Sequence, residues 1–352
     1  MPSGATHRGG ATIIRVGSTD YSRAHMGRRM LNYLTYVALS VPRSMFLRFD
    51  IVLGMTDPPF EGIVAGFVGL LKRKPFVYNV RDLYPDMAVG GAIIDAGLLT
   101  RVWEALHRWA LRRATRVVVL GEDMRARIVA KHVKPERVAV VRDGAELCKA
   151  GEAGSEAAVD AEVVRTIRDN FKFVLLHAGN LGFYGAWETL IAMARILADE
   201  GIGLVFVGDG AQRKKIETAA AGCSNVRFLP FFPASKIASV LAAADVHVVT
   251  IKRGLEGVIV PSKMYGILAA GRPILAVARP ETDVAAIGVK RGFAIWGDPE
   301  DPAQVAYAVR QVSRDADQLR NMGEAARAAA NEYDRVKELG KFLRIIEEAR
   351  SA

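Results

Sequence analysis

Residues 171–200 read FKFVLLHAGNLGFYGAWETLIAMARILADE, and this stretch decides the fold. The apolar run FKFVLLH has the pattern of a buried strand, and from Trp187 onward apolar residues recur at helical spacing. Between them lies the loop Ala178-Gly179-Asn180-Leu181-Gly182, rich in residues that let backbone approach a neighbour closely. Strand, glycine loop and helix form the unit of a parallel sheet flanked by helices. The unit recurs at once as GLVFVGDGAQRKKIETAA (203–220). After it come NVRFLPFF (225–232), a helical pattern from Pro233 to Ala243, DVHVVTI (245–251), PILAVA (273–278) and GFAIWG (292–297).

The same alternation runs upstream. Strands are expected at DIVLGM (50–55), PFVYNV (75–80), RVVVLG (116–121) and RVAVVRDG (137–144), with the helical RVWEALHRWALRRA (101–114) between the second and third. AGEAGSEAAVD (150–160) is small, polar and aperiodic, as a linker would be. The chain therefore reads as α/β, with two doubly wound, Rossmann-like domains spanning 1–150 and 151–332. The amphipathic helix YDRVKELGKFLRIIEEAR within 333–352 is expected to pack back toward the first domain. No strand and glycine-loop pair is recognisable before residue 50, so the first sheet is expected to lack an initial strand.

Bulk composition narrows the class. The chain has 352 residues, 51% of them hydrophobic, enough for two cores. No run reaches the roughly 18 apolar residues of a membrane-spanning helix, and the N-terminus has no signal-peptide core. Cys148 and Cys223 are the only cysteines. A soluble, cytoplasmic protein without a disulfide framework is expected. Up to residue 150 there are 23 Lys/Arg against 13 Asp/Glu, and beyond it 25 against 25, so all the excess positive charge lies in the first half. With Arg28, Arg29, Arg43 and Arg48 set among Leu, Tyr, Phe and Met in residues 27–49, an anionic membrane surface is the expected partner. A core helix with basic ends is the alternative. No nucleic-acid-reading motif is present.

Three loops of the second domain could carry chemistry: 178–182, Gly208-Asp209-Gly210 and Pro261-Ser262-Lys263. The last opens a small-residue helix that ends at Gly271. Ser262 as N-cap, the unpaired N–H groups behind it and Lys263 together suit a phosphate. Alternatively Ser262 only caps, Lys263 is solvated, and Gly266 is small because the helix packs tightly on the sheet. The spacing fits neither a Walker loop nor Gly-x-Gly-x-x-Gly, which argues against an NTPase and a dehydrogenase. In the first domain NVRDLYPD (79–86) puts Arg81 and Asp82 just after a strand, where a carboxylate could orient or deprotonate an acceptor hydroxyl. A cap, or a salt bridge between the two, is the competing reading. His25, His107, His132, His177 and His247 show no metal-ligand spacing.

Taken in order, VRDLYPD, HAGNLGFYGAWETLI, VFVGDGAQRKKIE, VPSKMYGILAAGRPILAV and GFAIWGDPEDPAQVAYAV resemble segments of bacterial glycosyltransferase family 4. Within it they are most similar to the cell-surface polysaccharide branch with Pro-Ser-Lys before the donor-site helix. The resemblance implies a GT-B fold, a nucleotide-sugar donor on the second domain and an acceptor on the first. It also implies metal-independent transfer with retention of anomeric configuration. By the same resemblance, Asn180, Leu181 and Gly182 would line the diphosphate, Asp209 and Gly210 would border the nucleoside, and Ser262 and Lys263 would meet the diphosphate. Asp82, with Arg81 beside it, would face sugar and acceptor. Where many members carry Arg and Lys in the first glycine loop, this chain has Asn180 and Tyr184, leaving Lys263, helped by Lys252 or Arg253, as the cation. The place of the ribose-binding glutamate falls on Gly266, and Glu256 is the nearest candidate for the other glutamate of that motif.

The resulting expectation is a membrane-associated retaining glycosyltransferase with no cofactor, using a UDP-sugar in preference to a GDP-sugar and a lipid-linked or polysaccharide acceptor. A different class stands beside it, a catalytically degenerate GT-B protein serving as a nucleotide- or membrane-binding scaffold. A nucleotide-sugar epimerase of the same architecture is the weaker third reading.

Overall fold

The computed structural model describes residues 4–21, 26–146 and 159–351. The linker expected over 150–160 thus lies largely outside the described residues. The chain opens with an exposed antiparallel hairpin of β1 (Gly4–Arg8) and β2 (Ala11–Arg15), which adds no strand to either larger sheet. A helix, Met26–Met45, follows; it ends four residues short of the basic segment read from the sequence.

The first large sheet is parallel, in the order β3 (Val52–Gly54), β4 (Phe76–Val80), β5 (Arg116–Val119), β6 (Val138–Val140). The second is built from β7 (Phe173–Ala178), β8 (Ile202–Val207), β9 (Val226–Leu229), β10 (Val246–Thr250), β11 (Ile274–Val277) and β12 (Ala294–Gly297). Its order is β12-β11-β10-β7-β8-β9, all parallel. This is the Rossmann order, and the winding reverses between β7 and β10. Every residue of β4, β8, β10 and β11 is buried, as expected of strands covered by helices on both faces.

The first sheet takes a cover from the far end of the described chain, and the two domains meet at a polar junction. The helix Arg335–Ser351 crosses back onto β4 and β5, where Ala349 is buried with Val77, Val118 and Val141, and Phe342 and Ile345 flank it. Glu338 is 2% exposed, and its carboxylate accepts the Arg142 N–H at 3.0 Å and pairs with Lys341. At the junction, Asp283 from the second domain accepts the Glu122 N–H at 3.0 Å and pairs with the Arg142 guanidinium at 2.8 Å. Asp123 accepts the Asp283 N–H in return at 3.2 Å.

Burial, and then the neighbouring Asp283 charge, push the Asp123 carboxyl up to about 6. A carboxyl raised in this way binds its proton more tightly folded than unfolded. Its contribution to stability is therefore present below the unfolded value and is lost as pH rises from about 4 to about 6. The Asp123→Asn variant is expected to flatten that decline and to gain on the order of 1–3 kcal/mol over wild type at pH 7.5, with little difference at pH 4. Thermal unfolding at several pH values measures this, and parallel curves for the two proteins would refute it.

Candidate functional site

Ligands of doubly wound sheets settle beyond the carboxyl ends of the strands, at the point where the winding reverses. Here that point lies between β7 and β10, and it is occupied by a lysine and a histidine. His177, fully buried near the end of β7, has Nδ1 3.3 Å from the Val248 carbonyl of β10 and Nε2 3.0 Å from Lys263 Nζ. Trp187 packs edge-on against its ring at 4.9 Å. Lys263 runs beneath Gly179, where a Cβ would stand 3.4 Å from Nζ, and lies 6.0 Å from the centre of the Tyr184 ring. Burial pushes the Lys263 ammonium down to about 7. Among the described residues it forms no ion pair with a carboxylate, so the site presents a desolvated cation lacking an anion.

The two glycine loops are pressed against each other. Gly179 donates its N–H to Val207 O at 2.9 Å, and Leu181 donates to Asp209 O at 2.8 Å. Gly208, at φ +142°, has no room for a Cβ, which would stand 2.0 Å from the Gly179 carbonyl oxygen. Several main-chain groups of the expected donor loops are thereby already paired. Leu181 is fully buried in the second domain's core, and its N–H is already used. The Gly182 carbonyl accepts the Trp187 indole N–H, and the Gly210 N–H donates to the Asp209 carboxylate at 2.7 Å. Asn180, exposed, is the member of that group whose side chain faces outward, and its carbonyl accepts the Tyr184 hydroxyl.

The Pro-Ser-Lys turn departs from expectation as well. Ser262 occupies the N-cap of the helix Lys263–Ala269 with helical angles of φ −60° and ψ −23°, and its hydroxyl makes no capping bond. Capping by a side chain needs an extended residue at that place. The helix has seven residues, so the positive charge rests on Lys263 rather than on a long helix axis. Gly266 does not serve close packing: it is exposed, and a Cβ would meet only Leu241, at 4.0 Å. Glu256 is held by its own loop, accepting the Gly254 N–H at 2.9 and 3.0 Å while Arg127 reaches it from the first domain at 3.5 Å. Arg253 pairs with Glu300 on the surface.

Across the crevice, Asp82 follows β4 and donates its N–H to Thr56 Oγ1 at 3.2 Å. Its backbone bridges to Ile259, three residues before Ser262, and the Leu83 N–H donates to Val258 O at 2.8 Å. The salt bridge weighed between Arg81 and Asp82 is not formed, because Arg81 gives its guanidinium to Asp143 at 2.7 Å. Burial raises the Asp82 carboxyl above its ordinary value; Arg81 opposes this, and Asp57 and Asp143 add to it.

Two features escaped the sequence reading. One is His177, treated there only as a histidine without metal spacing. The other is an apolar cavity of about 300 Å3 beside Gly179 and Val207, walled by Phe231, Phe232, Pro233 and Ile237. Phe231 is 59% exposed, and the FLPFF run was the available signal.

On the outer side of the first domain Arg28, Arg43 and Arg48 are exposed; the Arg29 side chain lies outside what is described. Leu31, Leu34, Leu39 and Phe46 are exposed among them. The adjoining helices Glu61–Lys72 and Leu98–Arg113 add Phe67, Leu70 and Leu71, then Leu98 and Leu99, the last two 79% and 83% exposed. No described helix is long and apolar enough to cross a membrane.

The loop contacts predict opposite effects of two alanine substitutions. Gly208→Ala should cost roughly 2–4 kcal/mol, because a backbone carbonyl blocks the new methyl group. Gly266→Ala, in a helix with space around it, should gain up to ~1 kcal/mol. Denaturant unfolding of both variants checks this, and equal effects would contradict the loop geometry.

Comparison with known proteins follows the same two-part division. Residues 2–144 match the family described as glycosyl transferase 4-like domain, and residues 172–315 match glycosyl transferases group 1. The chain is 27% identical over 268 residues to the probable glycosyltransferase WbjE of Pseudomonas aeruginosa, covering 75% of this chain and 66% of that protein. It is 25% identical over 268 residues to the putative colanic acid biosynthesis glycosyl transferase WcaI of Escherichia coli K12, covering 74% and 66%. The chain thus spans about two thirds of the length of these relatives. Among solved structures, HepE of Anabaena in complex with UDP-glucose superimposes with a TM-score of 0.68 at 17% identity, covering 90% of this chain and 82% of that one. The two Rossmann-like domains thus match the paired glycosyl transferase families in order, one domain each, and the chain has the GT-B fold.

Proposed function

We propose that the chain is a retaining glycosyltransferase that moves a sugar from a nucleoside-diphosphate sugar to a lipid-linked or polysaccharide acceptor in cell-envelope glycan synthesis. The observation that carries this is Lys263, a desolvated cation without a counter-ion among the described residues, standing where the winding reverses and near an apolar cavity. The diphosphate of the donor meets Lys263, and the base enters the cavity against Phe231. A UDP-sugar is the favoured donor, in line with the relative solved with UDP-glucose. As the glycosidic bond breaks, negative charge builds on the departing diphosphate, and a fixed ammonium in a dry site stabilises it. The proposal requires no metal ion. Asp82, in no ion pair among the described residues and held above its ordinary range, orients or deprotonates the acceptor hydroxyl.

In this reading residues 151–332 hold the donor, residues 1–150 receive the acceptor, and 333–352 belong with the first domain. The basic, leucine-bearing outer face rests on an anionic membrane at the cytoplasmic side. One observation favours the scaffold reading instead: Gly266 offers no carboxylate to a ribose, and Glu256 is already engaged.

Calorimetric titration with UDP and GDP, followed by assay of UDP release from a UDP-sugar, separates the two. UDP is expected to bind more tightly than GDP, and Lys263→Ala to weaken UDP at least about tenfold. Asp82→Asn should leave UDP affinity within about twofold while slowing release on the order of a hundredfold. Binding without turnover selects the scaffold, and no binding overturns the donor site.

Flotation with vesicles tests the membrane face. Binding to anionic vesicles should fall with added salt, and when Leu98 and Leu99 become Ser or Arg28, Arg43 and Arg48 become Gln. Equal binding to neutral vesicles would refute it.

A further inference from the structure

We propose that His177 is a positioning residue for the donor diphosphate: its neutral imidazole accepts a hydrogen bond from Lys263 and aims that ammonium into the crevice between β7 and β10. The inference rests on Lys263 being the diphosphate ligand.

The tautomer follows from the partners. A carbonyl oxygen only accepts, so the contact with Val248 O must be made by an N–H on Nδ1. The Asn180 main chain also lies within reach of the ring; with the one proton of a neutral ring on Nδ1 toward Val248 O, the Nε2 lone pair faces Lys263 Nζ at 3.0 Å. A doubly protonated ring would set a donor against the ammonium. Complete burial, with Trp187 against one edge, keeps the ring neutral, and burial and the lysine charge hold it well below its ordinary value.

Position follows from the strands. His177 sits on β7 and its anchor Val248 on β10, so the ring spans the reversal and is fixed on both sides. Lysine, by contrast, is a point charge on a flexible stem. The groups around its Nζ are His177 from β7, the Tyr184 ring from the following loop, Gly179 above and, farther along β10, His247. None is anionic. Tyr184 spends its hydroxyl proton on Asn180 O, and His247 turns Nε2 to Leu241 O at 2.9 Å. His177 is therefore the fixed acceptor that defines where Nζ points. With one N–H committed to the ring, the remaining ones face an incoming anion.

The test uses the full chain with UDP, inorganic pyrophosphate and uridine as probes. Titration of His177→Phe, which keeps a ring without an acceptor, should show about tenfold weaker binding of UDP and pyrophosphate. Uridine, which has no phosphate, should bind as it does to wild type. His177→Gln, whose amide oxygen reaches the place of Nε2, should restore UDP affinity to within about threefold, whereas His177→Asn, which stops short, should not. If the Phe and Asn variants bind UDP like wild type while Lys263→Ala does not, the positioning role is overturned and the diphosphate reading stands. Should Lys263→Ala also bind UDP normally, the reading of Lys263 itself fails. Equal loss of uridine and UDP in the Phe variant would mean general damage to the pocket and would overturn the proposal.

Discussion

A strand in a parallel sheet has no face to offer to water, and the rest of this molecule is arranged around that constraint. Each sheet needs helices on both sides. In the first domain the supply runs short locally, so the helix Arg335–Ser351 returns from the far end of the described chain to close over β4 and β5. Its anchors are apolar at Ala349 and polar at Glu338, which occupies the otherwise buried N–H of Arg142. Arg142 also reaches Asp283, so the covering helix and the junction between domains meet at one residue.

The same constraint locates the chemistry. Covered sheets expose only their strand ends, and in the second domain the ends of β7 and β8 carry glycine loops that interlock. The glycines serve this interlock, and around it lie Lys263, Asn180, the Phe231 cavity and the open ground at Gly266, the surface proposed to meet the donor. Asp82 is brought to the opposite wall by the backbone bridge to Ile259. Both walls of the crevice thus rest in part on main-chain hydrogen bonds, with Thr56, Trp187 and Tyr184 adding side-chain ones.

What the sequence disclosed divides along physical lines. Ten strands were legible because buried parallel strands are short apolar runs between glycine and charge, and the Rossmann winding follows from their alternation with helices. The exposed hairpin Gly4–Arg15 was not legible, since neither of its strands has an apolar face. In the site, Lys263 stood out as the charge at the start of a small-residue helix and Asp82 as a carboxylate just after a strand. Composition could not show that the N–H groups of Leu181 and Gly210 and the carboxylate of Glu256 already have partners within the fold. His177 was invisible for a related reason: its partners Val248 and Lys263 lie 71 and 86 residues away in the chain.

The returning helix also bears on how the protein is made. A ribosome releases the first domain's strands before the second domain's, yet the side chains of Val77, Val118 and Val141 stay uncovered until residues near 349 emerge. The second domain can complete its core while the first still waits for its last piece. The first to be synthesised is therefore the last to be finished, and the interval between the two is the time needed to translate some two hundred residues.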